Sequence, residues 1–437
     1  MHDVYSPPTQ RFDPDFEEAA ADESRIGLSP MGTSHMNNGS TVKVKIKGPV
    51  LLLMGPLGSF FSRLADFFLG NNVPTHKIMF PLREFFPGKK RIVHFYDGPM
   101  GEWREHLLKI VQEHGIKHLF MYGDFIQPHK IAIDLANQIG IEAWVFELGY
   151  IRPNYVTLER DRVNARSNLN KPVEFYRSLP DAESLVREQV PITRRWRKIW
   201  TVPFFLQHAF TDYKIMDRPH KLQPTPAYVY YQIRGYFRRP WYRFLERRKR
   251  KFIRRVPSLF LAVLQVSSDS QITLSSDFDD MHDFIADVTE SFAGHSTATQ
   301  HLVFKHHPRD RGYNSYGEFI EKEAARLNVG GRVHYIHDDV LGELFRHCDG
   351  VITINSTVGL SAVKYKIPTK VLGSTFYDLP GLTAQVPLDE FWQKRCEVDH
   401  KLFVKFHNFL VEKTQINGSF NGYFPFEETF VLEHAGH

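Results

Sequence analysis

The turn Asn355-Ser356-Thr357 joins an apolar run at residues 351–354 to a segment of small residues at 358–362. This order is typical of a buried strand that opens directly into a helix. Asn, Ser and Thr are common helix N-caps, and the first amides of any helix need acceptors. Hydroxyl groups at a helix N-terminus also favour a phosphate, because the helix dipole attracts negative charge there. The turn by itself is compatible with either role.

Other polar side chains also follow predicted strands. In chain order they are Asp124, Glu147 with Arg152, Gln265, the run Lys305-His306-His307-Pro308, and Asp338. The carboxyl ends of parallel strands share one edge of a sheet, so these residues would line a polar rim suited to a phosphate-bearing ligand. Each residue alone has an ordinary structural explanation as a turn or a hydrogen-bonded side chain. The prediction of a ligand site therefore depends on their convergence.

No established nucleotide-loop or metal motif accompanies these residues. The segment from Gly55 to Gly58 is too short for a dinucleotide fingerprint, and neither G-x-G-x-x-G nor G-x-x-x-x-G-K-[ST] occurs. The histidines lack the close pairing of known metal motifs, so we predict no metal.

Predicted strands and helices alternate in two blocks along the chain. The strands are 50–54, 77–80, 91–96, 118–122 and 143–146, then 259–266, 302–305, 332–336 and 351–354; the helices are 100–114 and 127–139, then 281–292, 316–327 and 340–346. Such alternation predicts parallel sheets covered on both faces. We therefore predict an α/β fold with two Rossmann-like domains facing a cleft.

The predicted domains follow the composition. They are a disordered tail at 1–45, a first Rossmann-like domain at 46–180, a basic and aromatic helical insertion at 181–256, a second Rossmann-like domain at 257–390, and a C-terminal helix and tail at 391–437. A length of 437 residues also makes two domains the default.

The bulk composition predicts a soluble, cytoplasmic protein. Two cysteines are too few for a disulfide framework. No stretch approaches the roughly 20 apolar residues that a membrane helix needs, and the acidic start of the sequence does not resemble a signal peptide.

Positive charge is concentrated in one segment, although the net charge is only +5. Half of the residues at 234–255 are Arg or Lys, Glu246 is the only acidic one, and aromatic residues are interleaved with them. This mixture favours a helix at a membrane surface, with rings at the headgroup level and cations over anionic lipid. A plain solvated surface and a nucleic-acid site are the alternatives, and no nucleic-acid fold motif supports the second.

Several longer motifs resemble one known family, the KpsS/LipB-type capsule polysaccharide biosynthesis and export proteins. They are GPLGSFFSRLAD, YGDFIQPHKIA, VFELGYIRPNYVTLERDRVNARSNL, LQVSSDSQI, FKHHPRDRGYNSY, RVHYIHDD, GVITINSTVGLSAVKYKIPTKVLGSTFYDLPGLT, PLDEFW and TQINGSF. They occur in order between about residues 55 and 420.

The resemblance implies a GT-B-like glycosyltransferase that moves Kdo, an acidic octulosonic sugar, from CMP-Kdo to lyso-phosphatidylglycerol at the inner membrane. The CMP-sugar is a substrate, and no cofactor is expected. The implied donor-site residues are Gln265, Lys305, His307, Pro308, Asp338, Asn355, Ser356 and Thr357 of the second domain. Gly55, Gly58 and Arg152 of the first domain are assigned to the acceptor or to a carboxylate. Implied partners are an anionic lipid, the inner-membrane surface and the capsule export machinery.

One departure from the family pattern concerns the catalytic carboxylate. Related Kdo transferases carry Asp or Glu directly before the Gly of this motif, where this sequence has Leu148 before Gly149. Glu147, Glu159 and Asp124 are the candidates to replace it. On a strand, Glu147 would face opposite to Leu148, whereas in a turn after the strand it need not. The alternative is a non-catalytic capsule assembly or export factor that keeps the fold and binds lipid or polysaccharide.

Overall fold

The structure is a computed structural model. It describes residues 34–35, 42–56, 58–80, 92–152, 155–186, 226–266, 272, 275–394 and 396–433.

The described strands are short and mostly apolar. They are β1 Ser34–His35, β2 Val44–Ile46, β3 Val50–Leu52, β4 Thr75–Met79, β5 Ile92–Phe95, β6 His118–Tyr122, β7 Glu142–Leu148, β8 Tyr155–Arg160, β9 Leu185–Val186, β10 Ser258–Val263, β11 Gln300–Lys305, β12 Val333–Ile336, β13 Gly350–Thr353, β14 Thr369–Val371, β15 Gln415–Asn417 and β16 Phe430–Leu432.

The described α-helices connect these strands or flank the sheets. They are α1 Phe60–Gly70, α2 Trp103–Glu113, α3 Gln127–Ile139, α4 Val173–Ser178, α5 Pro226–Leu245, α6 Arg247–Ile253, α7 Met281–His295, α8 Gly317–Arg326, α9 Leu341–Phe345, α10 Thr357–Lys364, α11 Leu388–Phe391, α12 His400–Thr414 and α13 Phe426–Thr429.

The chain divides into two compact units. The N-terminal unit comprises Thr33–Asn168, Leu185–Pro226 and Asn408–His437, and the C-terminal unit contains Leu169–Ser184 and Ala227–His407. Each unit is built on a mainly parallel sheet, which confirms the predicted α/β class with two Rossmann-like domains.

The N-terminal sheet has seven strands in the order β15-β8-β7-β6-β3-β4-β5. Strands β3 to β7 are parallel, whereas β8 and β15 run antiparallel to their neighbours. Alternate residues of β3 serve the two faces: Leu51 packs into one apolar cluster, and Val50 and Leu52 pack into the other. Burial on both faces explains why these strands read as continuous apolar runs.

The C-terminal sheet has five parallel strands in the order β12-β11-β10-β13-β14. Its central strand β10 sends Phe260 and Ala262 into one apolar cluster and Leu259 and Leu261 into the other. The chain proceeds from β10 to one side of the sheet through β11 and β12, and then crosses to the other side for β13.

Strand β8 was not predicted from the sequence, although the structure pairs it along β7. Apolar Val156 and Leu158 alternate with polar Thr157 and Glu159 in its sequence, but all four residues are buried. The hydrogen-bond partners of the polar pair are Gln415, which is distant in sequence, and Tyr150 and Ser167, which lie in the loops before and after the strand.

Residues after α12 were predicted as a tail, but they return to the N-terminal unit. Strand β15 pairs with β8, and β16 pairs with β2. Phe420 and Phe424 are buried edge-to-face against Phe60 of α1, with ring centroids 4.9 and 5.0 Å away. This aromatic packing holds the C-terminal segment on the first sheet. Most of the predicted disordered tail and residues 187–225 of the predicted insertion lie outside the described residues.

Candidate active site

The centre of the C-terminal sheet brings two predicted donor-site residues together. The strand order changes direction between β10 and β13, and open α/β sheets bind ligands at the carboxyl ends beside such a switch point. Gln265 follows β10 and Asn355 follows β13. Nε2 of Gln265 donates to Oδ1 of Asn355 at 2.9 Å, and the backbone N–H of Asn355 donates to Oε1 of Gln265 at 3.1 Å.

The next residue, Ser356, is the N-cap of α10. Its Oγ accepts a hydrogen bond from the backbone N–H of Val358 at 3.2 Å, and the hydroxyl of Tyr377 donates to its carbonyl oxygen. A Cβ at Gly359 would lie 2.4 Å from the Tyr377 hydroxyl, so this close approach requires glycine. The capping role is therefore confirmed. Ser356 and Thr357 remain half-buried at a helix N-terminus, an arrangement compatible with an anion.

The turn after β11 places a neutral histidine among cations. Lys305 is buried at the end of the strand, and His307 and Pro308 are half-buried beyond it. Nδ1 of His307 accepts from the backbone N–H of Arg309 at 3.2 Å. Burial, together with the positive charges of Arg309 and Lys305, lowers the pKa of His307 well below its usual range. A phosphate or carboxylate bound here would relieve this repulsion.

Asp338, also predicted for the donor site, is engaged by three guanidinium groups. Its Oδ2 lies 3.1 Å from Nε of Arg243 and 3.4 Å from Nε of Arg239, and its Oδ1 lies 3.7 Å from Nη2 of Arg311. These ion pairs connect α5 to the turns after β11 and β12. The Asp338 charge is thus compensated by arginines, and its assignment to the donor site stays a prediction.

Glu246 forms a second buried connection between α5 and the C-terminal sheet. Its carboxylate accepts the backbone N–H of His337 at 3.0 Å and contacts Nδ1 of the same residue at 2.6 Å. The ring of Tyr242 stacks on the His337 imidazole with a centroid distance of 3.6 Å. The only acidic residue of the basic segment is therefore an anchor in the interior.

Helix α5 approaches the turn at Gly312 closely, with several arginines directed toward the protein. A Cβ at Gly312 would lie 2.0 Å from the carbonyl oxygen of Tyr231. Arg234 donates to the carbonyl of Gly312 at 3.3 Å, and Arg238 donates to that of Arg311 at 3.1 Å. The guanidinium groups of Arg234 and Arg238, which the sequence analysis directed at lipid, therefore contact the protein instead.

Several aromatic and aliphatic side chains of α5 and α6 are exposed, although Tyr242 packs on His337. The large apolar residues that are at least half exposed on α5 and α6 are Tyr230, Ile233, Tyr236, Phe237, Trp241, Phe244, Leu245 and Phe252. Exposed cations of α6, Arg247, Arg248, Lys249 and Lys251, lie next to them in sequence. None of the helices within the described ranges is long and apolar enough to cross a membrane.

The N-terminal sheet has an equivalent switch point between β3 and β6. Gly55 and Gly58 follow β3, and Asp124 follows β6. A Cβ at Gly55 would lie 2.5 Å from the ring of Phe61, and Gly58 has a φ of +99°, so both positions favour glycine for local structural reasons. Their assignment to the acceptor stays a prediction.

Glu147 lies at the carboxyl end of β7 with its two oxygens in different environments. Oε1 accepts from the Tyr122 hydroxyl at 2.9 Å and from the backbone N–H of Leu148 at 2.8 Å. Oε2 is buried and has no hydrogen bond from the part of the chain that is described. Burial, with a further contribution from Asp124, raises the pKa of Glu147, while these hydrogen bonds and Arg152 act against the increase. A fixed carboxyl group with one uncommitted oxygen and a raised pKa is suited to proton transfer.

Leu148 points to the opposite face of β7 from Glu147. Strand β7 continues through Leu148, whose side chain packs against the apolar cluster that contains Phe60 and Phe146. The predicted alternation is therefore observed. The side chain of Glu147 therefore lies on the opposite face of the sheet from Leu148, which is the position expected to carry the carboxylate.

The other two candidate carboxylates are engaged in internal contacts. Oδ2 of Asp124 lies 3.0 Å from Nη2 of Arg166 and accepts the backbone N–H of Val163 at 3.2 Å. Oε1 of Glu159 accepts from the Tyr150 hydroxyl at 2.8 Å, and its Oε2 accepts from Ser167 Oγ at 2.6 Å. Both groups influence the same region electrostatically, since Asp124 raises the pKa of Glu147 and of Glu159.

The protonation of Glu159 predicts a pH-dependent stability. Burial raises its pKa from the ordinary 4.5 to about 7, so the folded protein binds more protons than the unfolded chain between these values. The free energy of unfolding should therefore fall as the pH rises from 4.5 to 7, by about 3 kcal/mol at most, and then level off. Denaturant titrations across this range measure the slope. Glu159→Gln keeps the shape and should reduce the slope, and an unchanged slope in this variant contradicts the assignment.

Lys77 is a buried cation that the sequence analysis did not single out. Its ammonium donates to the carbonyl oxygen of Leu53 at the end of β3 and lies 5.6 Å from the ring centroid of Phe61. It is only 1% exposed, so this interaction occurs within the core beside the switch point. The one available signal was a lysine directly before the apolar residues Ile78, Met79 and Phe80.

Comparison with known proteins assigns the family. Residues 117–421 match the family described as capsule polysaccharide biosynthesis protein. The chain is 35% identical over 393 residues to the capsule polysaccharide export protein KpsS of Escherichia coli, an alignment that covers 87% of this chain and 98% of KpsS. It is 34% identical over 400 residues to the capsule polysaccharide modification protein LipB of Neisseria meningitidis serogroup A, covering 87% and 94%. The chain belongs to the capsule polysaccharide biosynthesis family, and the resemblance identified from the motifs is confirmed.

Among solved structures, the chain is similar to a β-Kdo 2,7 transferase, KpsC of Thermosulfurimonas dismutans. The alignment has a TM-score of 0.40 and 12% identity, and it covers 82% of this chain and 90% of the KpsC chain. We base the family assignment on the sequence relatives alone.

Proposed function

We propose that this protein is a glycosyltransferase that moves Kdo, or a similar acidic sugar, from a CMP-sugar to a membrane lipid such as lyso-phosphatidylglycerol, and so starts the capsule linker. The observation that carries this proposal is the arrangement of Gln265, Asn355 and Ser356 at the switch point of the C-terminal sheet. Membership of the capsule polysaccharide biosynthesis family supports the capsule context.

The donor is proposed to bind through its phosphate and base at this sheet edge. The phosphate of CMP would meet the N-terminus of α10 at Ser356 and Thr357. Lys305 would provide positive charge as the phosphate leaves, and the neutral His307 would donate a hydrogen bond. These donors are preorganised, so the leaving group is stabilised without a metal or cofactor at the donor site. Gln265 and Asn355 would orient the nucleotide through their amide groups.

Within the N-terminal unit, we assign the catalytic carboxylate to Glu147. Deprotonated, its uncommitted Oε2 could remove the proton of the acceptor hydroxyl or attack the anomeric carbon, which correspond to a general base and a nucleophile respectively. Oδ2 of Asp124 and both carboxylate oxygens of Glu159 are engaged in internal contacts, which favours Glu147 over both.

The exposed aromatic face of α5 is proposed to contact the cytoplasmic surface of the inner membrane. Trp241 and Phe244 are 60% and 73% exposed, although such residues are normally buried. Exposed cations on α6 would add attraction to anionic headgroups. An anionic lipid surface fits both features, because its apolar interior accepts the rings and its headgroups attract the cations.

Binding to lipid vesicles tests this surface. Trp241→Ser with Phe244→Ser should weaken binding to phosphatidylglycerol-containing vesicles at least about tenfold, because both rings lose their place at the interface. Phe95→Ser with Tyr423→Ser is the matched control, since these exposed rings lie in the N-terminal unit. Sedimentation with vesicles measures the affinity. Equal loss in both double variants contradicts a role for α5, and binding to nucleic acid instead of vesicles contradicts the lipid surface.

The decisive test is a transfer assay with purified protein, CMP-Kdo generated in situ and lyso-phosphatidylglycerol, with the lipid product followed by mass spectrometry. Formation of a Kdo-lipid establishes the transferase. CMP binding without a product points to another sugar or acceptor. Absence of CMP binding by folded protein contradicts the proposal.

The second candidate is a non-catalytic assembly or export factor. The observation that favours it is Leu148, which replaces the expected carboxylate and packs, partly buried, against the apolar cluster of the N-terminal sheet. This alternative predicts binding to vesicles or capsule polysaccharide with no transfer to any acceptor. The arrangement of Gln265, Asn355 and Ser356 at one edge of the C-terminal sheet favours the enzyme.

A further inference from the structure

Three histidines from separate elements of the N-terminal unit come together beside β4. His76 is the second residue of β4, His94 lies on the neighbouring edge strand β5, and His114 directly follows α2. Nδ1 of His76 lies 3.1 Å from Nε2 of His94, and one ring nitrogen from each of the three residues lies within 4.8 Å of the others. No other metal-competent group of this kind occurs within the residues that the structure describes.

The spacing is close to that of imidazole ligands around one ion. Zn–N bonds of about 2.0–2.1 Å in a tetrahedron place two ligand nitrogens about 3.3 Å apart, and His76 and His94 are already at this separation. The ring nitrogen of His114 lies within 4.8 Å of the other two, so it needs to approach by about 1.5 Å at most. His114 is half-buried and directly follows the last residue of α2.

The three imidazole rings also pack against one another. The ring centroids of His76 and His114 are 4.3 Å apart, and those of His94 and His114 are 5.0 Å apart. His76 is 4% exposed, so this part of the cluster is shielded from bulk water.

We propose that His76, His94 and His114 bind a divalent transition-metal ion of the zinc class. Imidazole ligands suit Zn²⁺, Ni²⁺ and Cu²⁺ better than Mg²⁺ or Ca²⁺, whose preferred ligands are oxygens. The ion connects the edge strand β5 to β4 and to the end of α2. His76 lies near the amino end of its strand and His114 precedes β6, whereas Glu147 lies at the carboxyl end of β7. The metal therefore has a stabilising function and is separate from sugar transfer.

This site differs from the prediction of no metal, which was based on sequence spacing. His76 and His94 are 18 residues apart in sequence, and no pattern there indicated that they would meet. The parallel pairing of β4 with β5 brings them into contact.

A similar histidine pair in the C-terminal unit provides a matched control. Nδ1 of His301 lies 3.0 Å from Nε2 of His334, on adjacent strands β11 and β12, and the two rings are stacked. The pair has no third ligand within the part of the chain that the structure describes. It should therefore not hold an ion by itself.

Metal stoichiometry of the full chain tests the proposal. Protein stripped with a chelator and dialysed against Zn²⁺ should retain one ion per chain by mass spectrometry, and Co²⁺ in its place should give a ligand-field absorption spectrum. His114→Ala should lower the affinity at least about 100-fold, since even residues that only support a ligand change it by about 10–100-fold. Added Zn²⁺ should raise the midpoint of thermal unfolding of the wild type.

The controls separate this site from nonspecific binding. The variant His301→Ala with His334→Ala should retain the ion, and His114→Ala should show a native circular dichroism spectrum without it. The proposal is overturned if the wild type retains no metal, if His114→Ala binds as tightly as the wild type, or if the control variant loses the ion.

Discussion

Glu147→Gln is expected to lower the turnover of sugar transfer at least about 100-fold, which is the lower range for a lost general acid or base. Gln retains the size of the side chain and an acceptor for the Tyr122 hydroxyl and the Leu148 amide, so the fold around β7 should persist. It cannot take up a proton at the position of Oε2 or act as a nucleophile. Steady-state kinetics with CMP-Kdo and the lipid acceptor measure the change.

Two comparisons make this prediction specific. The affinity for CMP should remain within about twofold of the wild type, because the donor residues lie in the C-terminal unit, and the loss should appear in kcat with little change in KM. Glu159→Gln tests the competing assignment, and it should retain most of the activity because both Glu159 oxygens serve internal hydrogen bonds. Retention of more than about a tenth of the turnover by Glu147→Gln would exclude it as the catalytic group.

The second large effect is expected at Glu246, which anchors α5 and α6. Glu246→Ala removes the acceptor for two buried groups of His337, its backbone N–H and its ring Nδ1. Each unsatisfied buried donor costs about 1–3 kcal/mol, so the free energy of unfolding should fall by about 3 kcal/mol. Chemical denaturation of the purified variants measures this difference.

Two further variants serve as controls for the Glu246 prediction. Glu246→Gln keeps one carbonyl acceptor and should lose less stability than Glu246→Ala. Glu390→Ala removes an exposed ion pair with Lys394 at 3.4 Å, and its cost should stay below about 1 kcal/mol. Equal stability of Glu246→Ala and Glu390→Ala would mean that the Glu246–His337 contact adds nothing to the attachment of α5.

The basic segment shows that composition can predict a helix correctly without showing which of its residues face the protein. Its arginines and aromatic residues predicted a helix with both groups directed at lipid. In the structure Arg239 and Arg243 pair with Asp338, while Trp241 and Phe244 are exposed. The membrane proposal consequently relies on the rings of α5 and the cations of α6.

The sequence by itself determined the α/β class, because long apolar runs that alternate with amphipathic segments have few other solutions. Strand β6 and helix α3 have the predicted bounds, since His118–Tyr122 and Gln127–Ile139 carry clear local patterns. The family was also recognised from the sequence, because motifs such as those around His307 and Ser356 are continuous stretches of the chain. Local signals of this kind need no knowledge of distant contacts.

Only the tertiary structure decided how individual polar groups are used. Asp338 is occupied by arginines and Glu246 by His337, whereas Oε2 of Glu147 is uncommitted among the described residues. The strand β8 and the cluster at His76 depend on partners far away in sequence. The physical reason is that a hydrogen bond or ion pair depends on distances of about 3 Å, which chain folding sets and local sequence does not record.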